Sequence, residues 1–184
     1  RDVGYFDNFV VITKVSTQSF DIAKGVDKEG AGDQGIMYGY ATNETKECLP
    51  LAYTIARDIS KAIENIRKEK FMDALGVDGK CQVTVRYVDN RPKDIKTIVV
   101  STQTKKDVKL EQVKKIIKEE VLIPLLGNTL DGIEILVNPT GAFYRGGPYA
   151  DSGLTGRKLM IDTYGGVARY GGGSLSGNDY TKVD

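Results

Sequence analysis

The 184-residue sequence contains no histidine and has two cysteines, Cys48 and Cys81. A mechanism that uses a histidine acid, base or metal ligand would therefore need that residue from outside this sequence. The cysteines lie far apart, and no Cys-x-x-Cys motif surrounds them. This spacing favours reduced structural thiols in a cytoplasmic protein over a disulfide or a metal site.

The sequence also lacks a long apolar run and an excess of either charge. No stretch approaches the roughly 18 apolar residues of a membrane span, and no signal-peptide pattern opens the sequence. The 26 basic and 25 acidic residues give a net charge of +1, which indicates no field for nucleic acid or membranes. The lysines of residues 105–118 are interleaved with acidic residues, as on a solvated helix face. We expect neither a nucleic-acid nor a membrane partner.

Periodicity predicts an α+β fold in which helices pack on mixed, mostly antiparallel sheets. Apolar residues at spacings of three and four predict helices over residues 51–70 and 110–122, with Pro124 just beyond the second. Short apolar or alternating runs predict strands over residues 10–15, 82–87, 95–102, 133–137 and 159–161. A turn at residues 89–92 would join the second and third strands. Asp78 and Lys80 would lie in a turn before a strand.

The segment from Asp162 to Asp184 is rich in glycine, with six glycines between Gly165 and Gly177. Glycine permits positive φ and has no Cβ, so such a backbone can approach a ligand closely, and we expect a polyphosphate. A glycine-rich turn that binds no ligand is the alternative, since turns use glycine for the same conformational reason. Asn178 follows Gly177 where a P-loop has lysine, which argues against a Walker site.

Adjacent cations precede this segment. Arg157 and Lys158 follow Asp151 in the stretch PYADSGLTGRK. A guanidinium fork grips two phosphate oxygens and an ammonium acts as a point charge, so the pair can bracket a polyphosphate. Salt bridging at a strand edge explains the pair equally well at this point.

The segment GAGDQG at residues 30–35 resembles the hexapeptide of the S-adenosylmethionine synthetases, also called methionine adenosyltransferases. Four further segments resemble the same family in the family's order. They are TQSFDIAKGVD, ILVNPTGAFYRGGP, DSGLTGRK and GGGSLSGNDYTKVD. The resemblance thus runs along nearly the whole chain.

The resemblance implies an enzyme that joins the sulfur of L-methionine to C5′ of ATP. The family releases triphosphate and cleaves it to phosphate and pyrophosphate, with Mg2+ and K+ as cofactors. Its active sites are shared between the subunits of a cytoplasmic homodimer or dimer of dimers. Its fold has three similar domains built from separate stretches. Residues 1–21 and 146–184 would then belong to the central domain, residues 22–48 to a C-terminal-type domain, and residues 49–145 to the first α+β domain.

The resemblance also implies roles for individual residues. Lys80, Arg157 and Lys158 would be the catalytic cations on the triphosphate. The residues expected to bind ATP are Asp78, Lys80, Phe143, Asp151, Arg157, Lys158 and Ser174. Those expected to bind methionine are Gln18, Asp33, Asp151 and Lys182. Asp184 would be a magnesium ligand.

The sequence departs from the family at several positions. Asn178 stands where the family has a lysine on the phosphates, Tyr170 where it often has histidine, and Ala142 where it has a basic residue. The family's His-Pro-Asp-Lys motif is absent. Because the sequence begins at Arg1 and stops just after its glycine segment, we expect a piece of a longer protein. The alternative is a non-catalytic homologue or fragment that serves as a regulatory or interaction subunit with residual nucleotide binding.

Overall fold

The structure is a computed structural model that describes residues 10–28, 30, 35–147, 150–151 and 158–173. These residues form two compact units. The first unit comprises the described residues between 41 and 151. The second comprises the described residues between 10 and 40 and between 158 and 173. Each unit is described by itself.

The first unit is built from helices and a sheet. Its helical segments are α2 (Leu51–Glu69), α3 (Leu110–Ile116), a π-helical turn (Ile117–Leu122), α4 (Ile123–Leu126) and a 3-10 turn (Gly127–Leu130). Its strands are β1 (Leu75–Val88), β2 (Arg91–Thr104) and β3 (Glu134–Val137). In the second unit, the structure places α1 (Phe20–Val26) and α5 (Leu159–Thr163).

The three strands lie in the order β1-β2-β3, so β2 is central. β1 and β2 pair antiparallel, while β2 and β3 pair parallel. The loop between β1 and β2 consists of Asp89 and Asn90, whose φ angles are 50° and 59°. Two positive φ values are typical of the tight turn that matches the twist of a hairpin. The mixed sheet with its helices confirms the predicted α+β class.

Both strands of the hairpin are longer than predicted. β1 begins at Leu75 rather than at residue 82, so Asp78 and Lys80 lie within a strand and the predicted turn is wrong. Glycine and aspartate are depleted in strands, which hid the start of β1 in the sequence. Here the pairing of β1 with β2 outweighs the low strand propensity of these residues.

One face of the sheet packs against the helices. The central strand contributes Ile98 and Val100, which are fully buried. Side chains that are buried on the helices and the neighbouring strands complete this core, and they include Ile59, Leu75, Val113, Ile117, Val121, Leu122 and Val137. The predicted helix over residues 51–70 is confirmed as α2.

The predicted helix over residues 110–122 continues beyond its expected end. A π-helical turn follows Ile116, and α4 carries the chain on to Leu126. Pro124 lies in the first turn of α4 rather than after the helix. Proline is tolerated in a first turn, where the backbone N–H that it lacks has no intrahelical acceptor. The prediction that Pro124 lies beyond the helix is therefore wrong.

Two strand predictions in the second unit are wrong. Residues 10–15 form no strand, and Val10, Ile12 and Val15 are 87–91% exposed. A strand requires a hydrogen-bonded neighbour, and the described residues pair none with this stretch. Residues 159–161 lie in α5, because so short an apolar run does not distinguish strand from helix. In the described part of the chain, no helix is long and apolar enough to cross a membrane.

A buried arginine near the end of α2 is neutralised by a carboxylate on the same helix. Arg67 is 2% exposed, and its guanidinium contacts Glu64 through Nε–Oε2 and Nη2–Oε1 distances of 2.7 and 2.8 Å. These two donated hydrogen bonds lower the pKa of Glu64 to about 2. Because a buried charge without its partner is costly, the pair ties the stability of the unit to pH.

We expect Glu64→Gln to lower the free energy of unfolding by about 1–3 kcal/mol at neutral pH, since Arg67 would stay buried without a counter-charge. The folded-state pKa of Glu64 is depressed, so its contribution is full above its ordinary pKa of 4.5 and is lost as pH falls toward about 2. Urea unfolding across this pH range should show the deficit of the variant shrinking in acid. Glu111→Gln, at a side chain that is 81% exposed, is the control. A deficit that does not depend on pH would contradict this account.

Candidate functional site

Strand β1 bulges where it carries Asp78. Leu75 pairs with Thr104 and Gly79 with Thr102, so residues 76–78 lie opposite Gln103 alone. Such bulges interrupt the regular ladder and re-aim the residues that they contain, and they are frequent next to active sites. The Asp78 amide therefore finds its hydrogen-bond acceptor in a side chain of β2 and not in the main chain of that strand.

The partner is the side chain of Gln103, which is 2% exposed. Its Oε1 accepts a hydrogen bond from the Asp78 amide at 3.3 Å. Its Nε2 donates to the Tyr144 carbonyl at 3.2 Å. One residue earlier, the Phe143 carbonyl accepts from the Thr104 amide at 3.0 Å. The residues 143–147, here called segment 143–147, are thus fixed against the bulge of β1.

Gly147 connects two carboxylate residues at the end of this segment. Its amide donates to Asp78 Oδ2 at 2.8 Å, and its carbonyl accepts from the Asp151 amide at 3.0 Å. Gly147 has φ 62°, a conformation that favours glycine. The structure therefore brings together Asp78, Phe143 and Asp151, which were predicted to bind ATP.

The chain reaches this position because of a turn after β3. Asn138 has φ 45° and is 2% exposed. Its Oδ1 accepts from the Thr102 amide at 2.8 Å, and its Nδ2 donates to the Thr102 carbonyl at 3.0 Å. Asparagine tolerates this left-handed backbone conformation. The Asn138 side chain therefore takes over as the hydrogen-bonding partner of β2 at the point where strand β3 ends. The chain then turns at Gly141, whose amide donates to the Asn138 carbonyl.

Lys80 supplies positive charge on the same strand. It lies two residues from Asp78, just beyond the bulge of β1. Lys80 is exposed, and it forms no ion pair with any residue that the structure describes. Its ammonium is therefore available to an anionic ligand.

A small pocket lies between α2 and the start of β1. Its volume is about 80 Å³, and residues 76–80 line it together with Ser60, Ile63, Glu64 and Thr102. Ligand pockets for drug-sized molecules are larger, roughly 300–1,000 Å³. This pocket is therefore too small to enclose a nucleotide.

The second unit contains parts of two predicted motifs. Gly165, Gly166, Gly172 and Gly173 have φ angles of 65°, 85°, 95° and 108°, conformations that glycine adopts without strain. Gly171 lies against the Ile36 carbonyl oxygen so closely that an added Cβ would clash with it. The rings of Tyr40 and Tyr164 pack edge to face, with centroids 5.9 Å apart. Residues that follow GAGDQG thus lie beside the glycine segment.

Two other predicted site residues lie in the second unit. Gln18 is exposed and precedes α1, whose N-terminus is capped by Ser19. Lys158 is exposed at the start of α5. The remaining predicted residues lie outside the described residues, and they are Asp33, Arg157, Ser174, Lys182 and Asp184.

The described part of the chain contains no group of three or more histidine, cysteine, aspartate or glutamate side chains placed to hold a metal ion. The predicted magnesium ligand, Asp184, lies outside that part.

Sequence reasoning missed Gln103 and Asn138. A glutamine inside an alternating strand reads as an ordinary polar residue, and its partners lie 25 and 41 residues away. Asn138 in NPTG carries a turn signal, since asparagine tolerates positive φ. Its pairing with Thr102, 36 residues away, leaves no local trace.

Two family models match the chain. The first is described as S-adenosylmethionine synthetase, central domain, and it matches residues 28–143, which is more than half of the chain. The second is described as S-adenosylmethionine synthetase, C-terminal domain, and it matches residues 145–184. The two matches meet within segment 143–147.

Curated relatives are similar along nearly all of the chain. The S-adenosylmethionine synthase of Kosmotoga olearia is 47% identical over 190 residues, covering 95% of this chain and 48% of the relative. That of Staphylococcus epidermidis is 46% identical over 210 residues, covering 100% and 53%. That of a Sulfurovum species is 47% identical over 199 residues, covering 100% and 52%. The chain spans about half the length of these curated relatives.

We expect Asn138→Ala to lower the free energy of unfolding by about 2–4 kcal/mol, because the buried amide and carbonyl of Thr102 would lose their partners and alanine would adopt φ 45°. Asn90→Ala is the matched control, since Asn90 also has positive φ but is exposed. Urea unfolding of both variants separates the stability lost with the buried hydrogen bonds of Asn138 from the stability lost through backbone strain. Equal losses of stability would show that the amide contributes nothing.

Proposed function

Since the chain belongs to the S-adenosylmethionine synthetase family, we propose that the protein containing it synthesises S-adenosylmethionine from ATP and L-methionine. The observation that carries this proposal is that segment 143–147, which contains Phe143, is hydrogen-bonded through Gly147 to both Asp78 and Asp151. Lys80 is exposed two residues from Asp78. The proposal includes release of triphosphate and its cleavage to phosphate and pyrophosphate.

The reaction needs positioning more than activation of the nucleophile. A lone pair of the thioether sulfur forms the S–C5′ bond, while the C5′–O bond breaks and its electron pair leaves with the triphosphate. The sulfur becomes a positively charged sulfonium, and no proton is transferred. Thioether sulfur attacks without a general base, so the absence of histidine from this sequence does not prevent the bond-forming step. Holding the reactants in line supplies much of the rate enhancement.

The departing triphosphate gains negative charge, and fixed cations stabilise that charge in the transition state. Lys80, Arg157 and Lys158 are the residues that we propose for this role. Lys80 is suited to it because its ammonium is exposed and has no ion-pair partner among the described residues. Arg157 offers a planar fork for two oxygens.

The nucleoside and methionine would be held by other residues. We propose that Phe143 stacks near adenine, that Asp78 contacts ATP, and that Asp151 contacts ribose or methionine. Ser174 would lie near ATP. The residues that we propose for methionine are Gln18, Asp33, Asp151 and Lys182.

The proposal extends to cofactors and assembly. Magnesium bound by Asp184 would neutralise phosphate charge, and K+ would assist. The active sites would be shared between the subunits of a cytoplasmic homodimer or dimer of dimers. Residues 49–145 would form one domain of the family fold, and the stretches 1–21, 22–48 and 146–184 would belong to two others.

A second candidate function is supported by Asn178, which replaces a lysine that the resemblance leads us to expect. A triphosphate clamp that lacks one cation would lose transition-state stabilisation on the order of 2–4 kcal/mol. The chain would then belong to a non-catalytic homologue or fragment that binds a nucleotide and acts as a regulatory or interaction subunit.

We expect the full-length protein to form S-adenosylmethionine from ATP and methionine in the presence of Mg2+ and K+, as measured by chromatography. Lys80→Ala should lower kcat by about 10²–10³-fold, because a fixed positive charge near the triphosphate is lost. Lys93→Ala, an exposed lysine on β2, is the control and should retain full activity. The absence of product from folded wild-type protein would overturn the enzymatic proposal.

Asn178→Lys should raise kcat or the rate of triphosphate cleavage by on the order of tenfold or more, because it adds a cation to the proposed clamp. Asn43→Lys adds the same charge at an exposed position of the first unit and should leave both rates unchanged. Steady-state assays of product and of phosphate measure the two rates. Rates that do not change in Asn178→Lys would show that another cation already fills the position.

A further inference from the structure

We propose that Gln103 is a positioning residue for ATP binding. It holds segment 143–147 against the bulge of β1 and does not contact ATP itself. The inference rests on the proposed function. Gln103 is 2% exposed, so it is not available to contact a nucleotide itself. Its effect on ATP would pass through Asp78 on one side and through Phe143 and Tyr144 on the other.

The amide group matches its two partners in polarity. Oε1 accepts from the Asp78 N–H, and Nε2 donates to the Tyr144 carbonyl. A carboxylate offers no donor for the carbonyl, and a hydrocarbon satisfies neither partner. A glutamine is therefore suited to joining a backbone donor on one strand to a backbone acceptor on a separate segment.

Two glycines fix where the Gln103 side chain lies. A Cβ added at Gly76 would collide with the Gln103 side chain. A Cβ added at Gly146 would lie 2.9 Å from Gln103 Cδ and 2.8 Å from Asp78 Cβ. Real Cβ atoms essentially never come so close, so a side chain at either position would displace Gln103 or its neighbours. The side chain is thus packed between β1 and segment 143–147.

The consequence of this packing is a coupling between two parts of the proposed ATP site. Asp78 accepts from the Gly147 amide at 2.8 Å, and this bond requires segment 143–147 to stay on the bulge. The Thr104 amide adds a second anchor through the Phe143 carbonyl. Loss of the Gln103 bridge would leave the segment held by these two anchors alone and loosen the position of Phe143 relative to Asp78. Of the residues proposed for methionine, Gln18 and Asp33 belong to neither element, whereas the Asp151 amide donates to the Gly147 carbonyl.

The test uses Gln103→Glu in the full-length protein, since glutamate keeps the volume and one acceptor but cannot donate to Tyr144 when ionised. We expect the dissociation constant for ATP, measured by calorimetry, to rise about tenfold. The KM for methionine should rise less than this dissociation constant, because Gln18 and Asp33 lie outside both elements. Hydrogen exchange at the Gly147 amide should become faster. Gln112→Glu makes the same chemical change at an exposed position of α3 and serves as the control.

Gly146→Ala provides a second variant that leaves Gln103 intact but pushes segment 143–147 away from β1. It should weaken ATP binding in the same direction, and it decides the question if Gln103→Glu does not fold. Wild-type affinity for ATP in the folded variants would overturn the inference and leave the proposed function standing. Wild-type protein that binds no ATP would overturn the proposed function and this inference with it.

Discussion

The C-terminal part of the central strand β2 contains most of its buried residues, and its backbone polar groups need partners beyond the end of β3. Buried N–H and C=O groups without partners are costly, so nearly all of them are satisfied in folded proteins. β3 supplies partners for Thr97 to Val100 and then ends at Val137. The side chain of Asn138 pairs with Thr102, and the Phe143 carbonyl takes the Thr104 amide. Because the backbone groups at this edge of β2 need hydrogen-bond partners, the chain after β3 runs alongside β2.

This constraint has a functional consequence. Once Phe143 is bonded to Thr104, the residues that follow lead from β2 to β1. Gln103 of β2 donates to the Tyr144 carbonyl, and Asp78 of β1 accepts from the Gly147 amide. The residues that resemble an ATP site therefore become neighbours through ordinary hydrogen bonds of the sheet. The carboxylate of Asp78 bonds to the protein, whereas Lys80 is left exposed on the same strand. Rigid anchoring beside an exposed cation is what a triphosphate leaving group requires.

Local patterns predicted some parts of this arrangement well. The apolar spacing of α2 and the alternation within β1 and β2 were sufficient, because these signals act over a few residues. The start of β1 was missed because Gly76, Asp78 and Gly79 oppose strand propensity, and only the pairing with β2 places them. Residues 10–15 and 159–161 carry short apolar runs that predict strands, but such runs fit a strand or a helix until a tertiary partner decides. Gln103 lay beyond prediction because its bonds join residues far apart in sequence.

The proposed function assigns segment 143–147 and the bulge of β1 together to the ATP side of an adenosyltransferase site. Hydrogen exchange on the wild-type full-length protein, with and without ATP, tests it most directly. We expect ATP to slow exchange in both residues 76–80 and residues 143–147, and methionine alone to leave exchange in residues 76–80 unchanged. Exchange that ATP leaves unchanged in both stretches, in protein that still binds ATP, would contradict it.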